Sequence, residues 1–143
     1  MILVSACLAG LNCKYNGKNN YNDKIFDLVK NGEAIPICPE ILGGLTTPRS
    51  PSEIKIVDGK RKVINLLGKD VTKEYEKGAQ EVLEFAKKLN VTKVILKDKS
   101  PACGYKKIYD GNFNNTLIKG NGILTDLFIK NNIEVINVED YIK

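Results

Sequence analysis

Residues 1–10, Met1-Ile2-Leu3-Val4-Ser5-Ala6-Cys7-Leu8-Ala9-Gly10, open with an apolar run that stops at a cysteine among small and turn-forming residues. The run 2–6 is too short for a helix and reads as a buried strand. Runs 34–37, 93–96 and 133–138 have the same β-branched character and the same bounding turn residues. A cysteine follows each of the first three: Cys7, Cys38, and Cys103 within Ser100-Pro101-Ala102-Cys103-Gly104. Between the second and third runs, Tyr75, Ala79, Val82, Leu83, Ala86 and Leu89 recur at helical spacing. Asp70-Val71-Thr72 supplies cap candidates, Glu74, Glu76 and Glu81 sit early, Lys87 and Lys88 sit late, and Asn90 is a stop. Further helices are expected over 25–31 and 122–132. The segments 53–57 and 61–65, joined through Asp58-Gly59-Lys60, read as a β-hairpin. Together these predict one α/β domain over residues 1–143: a mainly parallel, Rossmann-like sheet flanked by helices, with a hairpin insertion. In such a sheet the carboxyl ends of the strands form the ligand-binding edge, and three thiols distant in sequence would meet there.

A length of 143 residues fits a single domain, and 43% hydrophobic residues supply its core. The formal charge of +5 comes from lysines spread along the chain, which reads as a solvated surface rather than a nucleic-acid footprint. Histidine is absent, which excludes Ser-His-Asp and Cys-His catalysis. The opening apolar run is too short and lacks the basic flank of a signal peptide, and no apolar stretch could span a membrane. A cytoplasmic location is therefore expected, where thiols stay reduced and cysteines serve as metal or catalytic groups.

No two cysteines form a Cys-x-x-Cys pair, which counts against a zinc ribbon. The alternative is that they are small buried hydrophobes. If the thiols converge, Glu40 and Ser100 converge with them, because each lies within three residues of a loop cysteine. With no histidine present, a carboxylate is the natural proton carrier; the alternative for Glu40 is an exposed loop acid or a cap. Arg49, Lys97 and Lys99 are candidates for an anionic group, or ordinary surface charges. The proline- and glycine-rich stretch 36–52 reads as an ordered, extended loop, the kind that carries function in small domains.

Several of these segments form a pattern: Ser5-Ala6-Cys7-Leu8-Ala9-Gly10, Cys13-Lys14-Tyr15-Asn16-Gly17, Cys38-Pro39-Glu40 with Gly43-Gly44-Leu45, and Pro48-Arg49. Gly68-Lys69-Asp70-Val71-Thr72, Leu96-Lys97 and Ser100-Pro101-Ala102-Cys103-Gly104 continue it. In this order, over nearly the whole chain, the sequence resembles the thiouracil desulfurase family. The resemblance implies a [4Fe-4S] cluster held by three cysteines, matched here by Cys7, Cys38 and Cys103, with one iron free to meet the sulfur of a thiocarbonyl. It implies a non-redox conversion of the C=S of thiouracil or thiouridine to C=O with release of sulfide. The family's catalytic carboxylate and serine fall on Glu40 and Ser100, and substrate contacts are expected from Arg49 and Lys97. Cys13 is not expected as a ligand; it is left as a spare ligand, a sulfur acceptor or packing. Asn16 stands where an aspartate is common in the family. The substrate is expected to be a small thiopyrimidine, with a nucleoside or tRNA left open. The competing reading is a non-catalytic metal- or cluster-binding module for sulfur-modified tRNA or sulfur trafficking.

Overall fold

The structure, a computed structural model, describes residues 1–143. The chain runs β1 (Ile2–Ser5), α1 (Asp23–Lys30), β2 (Ala34–Ile37), α2 (Pro39–Leu42), β3 (Ser52–Val57), β4 (Lys60–Asn65) and α3 (Thr72–Lys88). It continues with β5 (Lys93–Leu96), β6 (Lys107–Tyr109), β7 (Leu117–Lys119), α4 (Ile123–Lys130), β8 (Glu134–Asn137) and α5 (Val138–Tyr141). Successive strand residues face opposite sides of a sheet, and the central strands are apolar on both. Leu3, Val94 and Leu96 pack with Val82, Ala86, Leu124 and Phe128 in the larger core under α3 and α4. Val4 and Ile95 pack with Leu8, Ile25 and Val138 on the other side, under α1 and α5. The four strands are parallel, in the order β2-β1-β5-β8. Each fully buried Leu, Ile or Phe contributes about 1.5–3 kcal/mol of transfer free energy. No helix is long and apolar enough to cross a membrane.

α3 begins where expected. Asp70 Oδ1 accepts hydrogen bonds from Thr72 N–H at 2.9 Å and from the Thr72 hydroxyl at 2.5 Å, and Asn90 adopts the left-handed conformation just beyond the helix end (φ 54°). The β3–β4 hairpin turns through Asp58 and Gly59, both with positive φ, as the tight turn between right-twisted strands requires. Three expectations are refined. The last strand stops at Asn137, whose Oδ1 accepts from Glu139 N–H and starts α5. The stretch 36–52 is not wholly a loop, since Pro36 pairs within β2 and α2 follows directly. The second hairpin, β6–β7, had no counterpart in the sequence reading.

α2 and α3 pack backbone to backbone. A Cβ on Gly78 would lie 1.8 Å from the Pro39 carbonyl oxygen, and one on Gly43 would lie 1.9 Å from that of Glu74. Only glycine at both positions allows this approach, which seats Cys38-Pro39-Glu40 against the start of α3.

Candidate active site

Three neighbouring strands deliver three thiols to one edge of the sheet. β1 ends in a single 3-10 turn, Ala6–Ala9, carrying Cys7 and closed by Gly10 in the left-handed conformation (φ 95°). β2 ends at Ile37, and Cys38 stands at the start of α2. β5 ends at Leu96, and Cys103 lies in the turn that follows. Ser5 joins two of these ends: its Oγ accepts from Lys97 N–H at 2.9 Å and donates to Cys103 Sγ at 3.4 Å. Asn20 Nδ2 donates to Cys7 Sγ at 3.5 Å. Neither Ser5 nor Asn20 was anticipated. Ser5 could have been suspected from its place at the end of β1, two residues before Cys7, whereas Asn20 carries no motif.

The thiols open into a cavity of about 560 Å³, which also receives Cys13, Glu40, Ser100 and Tyr75. Cys103 is buried, and the other three cysteines are half-buried and unpaired. Burial pushes the Cys103 thiol well up, and the negative charge of Glu40 adds to this. Burial likewise raises Cys7, against the hydrogen bond from Asn20. Cys13 and Cys38 lie within hydrogen-bonding reach, and that contact raises Cys13 and lowers Cys38. Cys38 Sγ also lies 3.9 Å from the Cys13 carbonyl oxygen. No three Cys, Asp or Glu side chains are close enough to chelate a single ion.

Glu40 sits in the first turn of α2, and Arg49 donates to its Oε2 at 3.2 Å. The two side chains are only 15% and 10% exposed. Burial pushes the Glu40 carboxyl above its ordinary range, with the Arg49 guanidinium opposing the rise without cancelling it. Ser100 Oγ accepts from Cys103 N–H at 2.7 Å. The hydroxyl therefore holds the cysteine turn as an acceptor and keeps its own proton to donate.

The two cations expected at substrate are engaged by the protein. Arg49 donates from one nitrogen to Thr46 O and Thr47 Oγ1, and from the other to Cys13 O and Glu40, tying the 43–51 loop to the cysteine loop. Lys97 lines the cavity but its ammonium pairs with Asp98. Burial works to raise Asp98, yet the hydrogen bond and charge of Lys97, with Lys99 behind them, hold its carboxyl below the usual range. The Arg49 contacts to Cys13 and Glu40 are made across loops, so residue type gave no sign of them, whereas Lys97 pairs with its own neighbour in the sequence. Tyr75, read as a core residue of α3, is buried and also lines the cavity.

Comparison with known proteins agrees with this geometry. The family model described as 2-thiouracil desulfurase matches residues 2–140. The uncharacterised protein YbbK of Bacillus subtilis (strain 168) is 42% identical over 143 residues, covering 96% of this chain and 95% of its own. The solved structure of the [4Fe-4S]-dependent thiouracil desulfidase TudS (DUF523Vcz) superposes with a TM-score of 0.88 at 35% identity, over 97% of this chain and 91% of its own. With the family model matched over residues 2–140 and a relative 42% identical over 96% of this chain, the chain belongs to the 2-thiouracil desulfurase family.

Proposed function

We propose that the protein is a thiouracil desulfidase carrying a [4Fe-4S] cluster on Cys7, Cys38 and Cys103, and that it converts the C=S of a thiopyrimidine to C=O. The observation that carries this reading is the convergence of three strand-end thiols on a cavity that also holds a buried carboxylate. The residues fit the cofactor. The donors are soft thiols, the choice for iron–sulfur clusters, and they surround a space rather than closing on one ion. Bound through three thiolates, the cluster supplies an iron with an open position, a Lewis acid for sulfur.

Glu40 takes the proton of a water that adds to the thiocarbonyl carbon. Its raised pKa makes it a stronger base than an exposed glutamate, and Arg49 fixes its orientation through Oε2. Ser100, anchored by the Cys103 N–H, donates its proton toward the departing sulfur. The C–S bond breaks and oxygen from water takes its place; sulfur leaves as hydrogen sulfide with the Ser100 proton and the proton of the added hydroxyl, and the proton taken by Glu40 restores the Ser100 hydroxyl, so that the net exchange is one water for one hydrogen sulfide. No electrons are exchanged with a partner. Cys13, beside Cys38, is a neighbour of the ligand set rather than a member of it. Glu40→Ala, assayed for sulfide release from 2-thiouracil, should lose about 10²–10⁴-fold in turnover while keeping the visible absorbance of the cluster. Loss of absorbance together with turnover would make Glu40 structural and remove it from the mechanism.

A further inference from the structure

Part of the cavity lining comes from the β6–β7 hairpin. Tyr109, the last residue of β6, and Phe113 and Asn115, in its connection to β7, contribute to this lining. These strands are only three residues each, β7 is exposed throughout, and the connection 110–116 holds three positive-φ residues: Gly111, Phe113 and Asn115. Such a connection needs an external tether to hold one shape. Glu53 provides it. Its Oε1 accepts from Gly111 N–H at 3.0 Å and from Phe113 N–H at 3.1 Å. Gly111 is packed so tightly on β3 that a Cβ there would lie 2.8 Å from Ile54 O.

We propose that Glu53 is a positioning residue for the desulfidase reaction: by clamping the Gly111 and Phe113 amides it holds the 110–116 loop as the substrate-facing wall of the cavity. On that wall Phe113 offers an aromatic ring to the flat face of a pyrimidine, and the Asn115 amide offers both a donor and an acceptor. A pyrimidine edge with adjacent N–H and C=O groups matches that pair. Glu53 also borders the cavity, but both hydrogen bonds it makes go from its Oε1 to the loop amides, so its role is to hold the loop, and the Glu53→Gln variant below separates that role from any use of its charge. This inference rests on the desulfidase reading given above.

The clamp predicts a split between variants. Glu53→Gln keeps an amide oxygen for the two N–H groups, whereas Glu53→Ala removes the acceptor. In Glu53→Ala, hydrogen exchange at the Gly111 and Phe113 amides should accelerate by about tenfold or more, in cluster-free and cluster-loaded protein alike. KM for 2-thiouracil should rise by about tenfold while kcat and iron content stay within about twofold. Glu53→Gln should restore most of both. Unchanged exchange in Glu53→Ala would overturn the clamp whatever the activity. Faster exchange with unchanged KM would overturn the loop's role as substrate wall. A kcat loss in Glu53→Gln, with the loop still protected, would overturn the positioning role by making the charge itself reactive. Wild-type protein is assayed in parallel: its failure to release sulfide from 2-thiouracil would count against the desulfidase reading, and the substrate wall would fall with it.

Discussion

The floor and the rim of the cavity are built differently. The floor comes from the ends of β1, β2 and β5, whose backbones are fixed by parallel pairing and by two hydrophobic cores. The rim comes from loops that charged side chains bridge to the rest of the molecule: Arg49 across the cysteine loop and Glu53 under the 110–116 turn. Strand pairing sets most of the floor's geometry, with the Ser5 and Ser100 hydroxyls fixing the turn that carries Cys103. On the rim, charged side chains are spent on holding shape. Arg49 and Lys97, the cations expected at substrate, both line the cavity while pairing with carboxylates of the protein.

The largest test of the contrast lies under the floor. Gly78→Ala places a methyl where the Pro39 carbonyl sits, and α2 must move off α3 with Cys38 and Glu40 aboard. Unfolding in denaturant should show a loss of about 3 kcal/mol or more, and anaerobic reconstitution should load less iron. Next comes Ser100→Ala, which removes the acceptor for Cys103 N–H and the proton donated to sulfur. Its kcat should fall by about a hundredfold, with KM changed little.

A smaller and more specific effect is expected at Arg49. The Glu40 carboxyl is raised by burial and lowered by Arg49, and it is the ionised form that acts as base. The acid limb of the kcat/KM profile should thus lie above the ordinary glutamate range, with activity lost as pH falls through it. Arg49→Gln removes the opposing charge and should move that limb upward; a downward shift would contradict the assignment of Glu40 as base. Least affected should be Leu67→Ser, on an 83% exposed side chain away from both floor and rim. Its stability and turnover should match wild type within about 0.5 kcal/mol.

The floor was largely legible in the sequence because its signals are local. β-branched runs ending at cysteines gave three strand ends, and the general behaviour of parallel sheets brought them together. Helical spacing and capping fixed α3 within about two residues. The β6–β7 hairpin escaped because its strands are three residues long and only Ile108 among them is fully buried, leaving no alternating pattern to read. Arg49 reaches Cys13 and Glu40, and Glu53 reaches Gly111 and Phe113, across the chain, contacts on which sequence spacing carries no information, whereas Asp98 stands next to Lys97 in the sequence and could have been suspected as its partner. Val138 reads as strand by its β-branched side chain, yet Asn137 beside it has the side chain that starts a helix.

The central claim is that Cys7, Cys38 and Cys103 hold an iron–sulfur cluster at the strand ends while Cys13 does not. The most direct measurement is the iron and acid-labile sulfide content of anaerobically purified protein, compared with Cys13→Ser and with a variant in which Cys7, Cys38 and Cys103 are all serine. The account predicts the full iron and sulfide complement of a [4Fe-4S] cluster in wild type and in Cys13→Ser, and none in the triple variant. Bound zinc in place of iron, no metal after anaerobic reconstitution, or loss of the cluster in Cys13→Ser would contradict it.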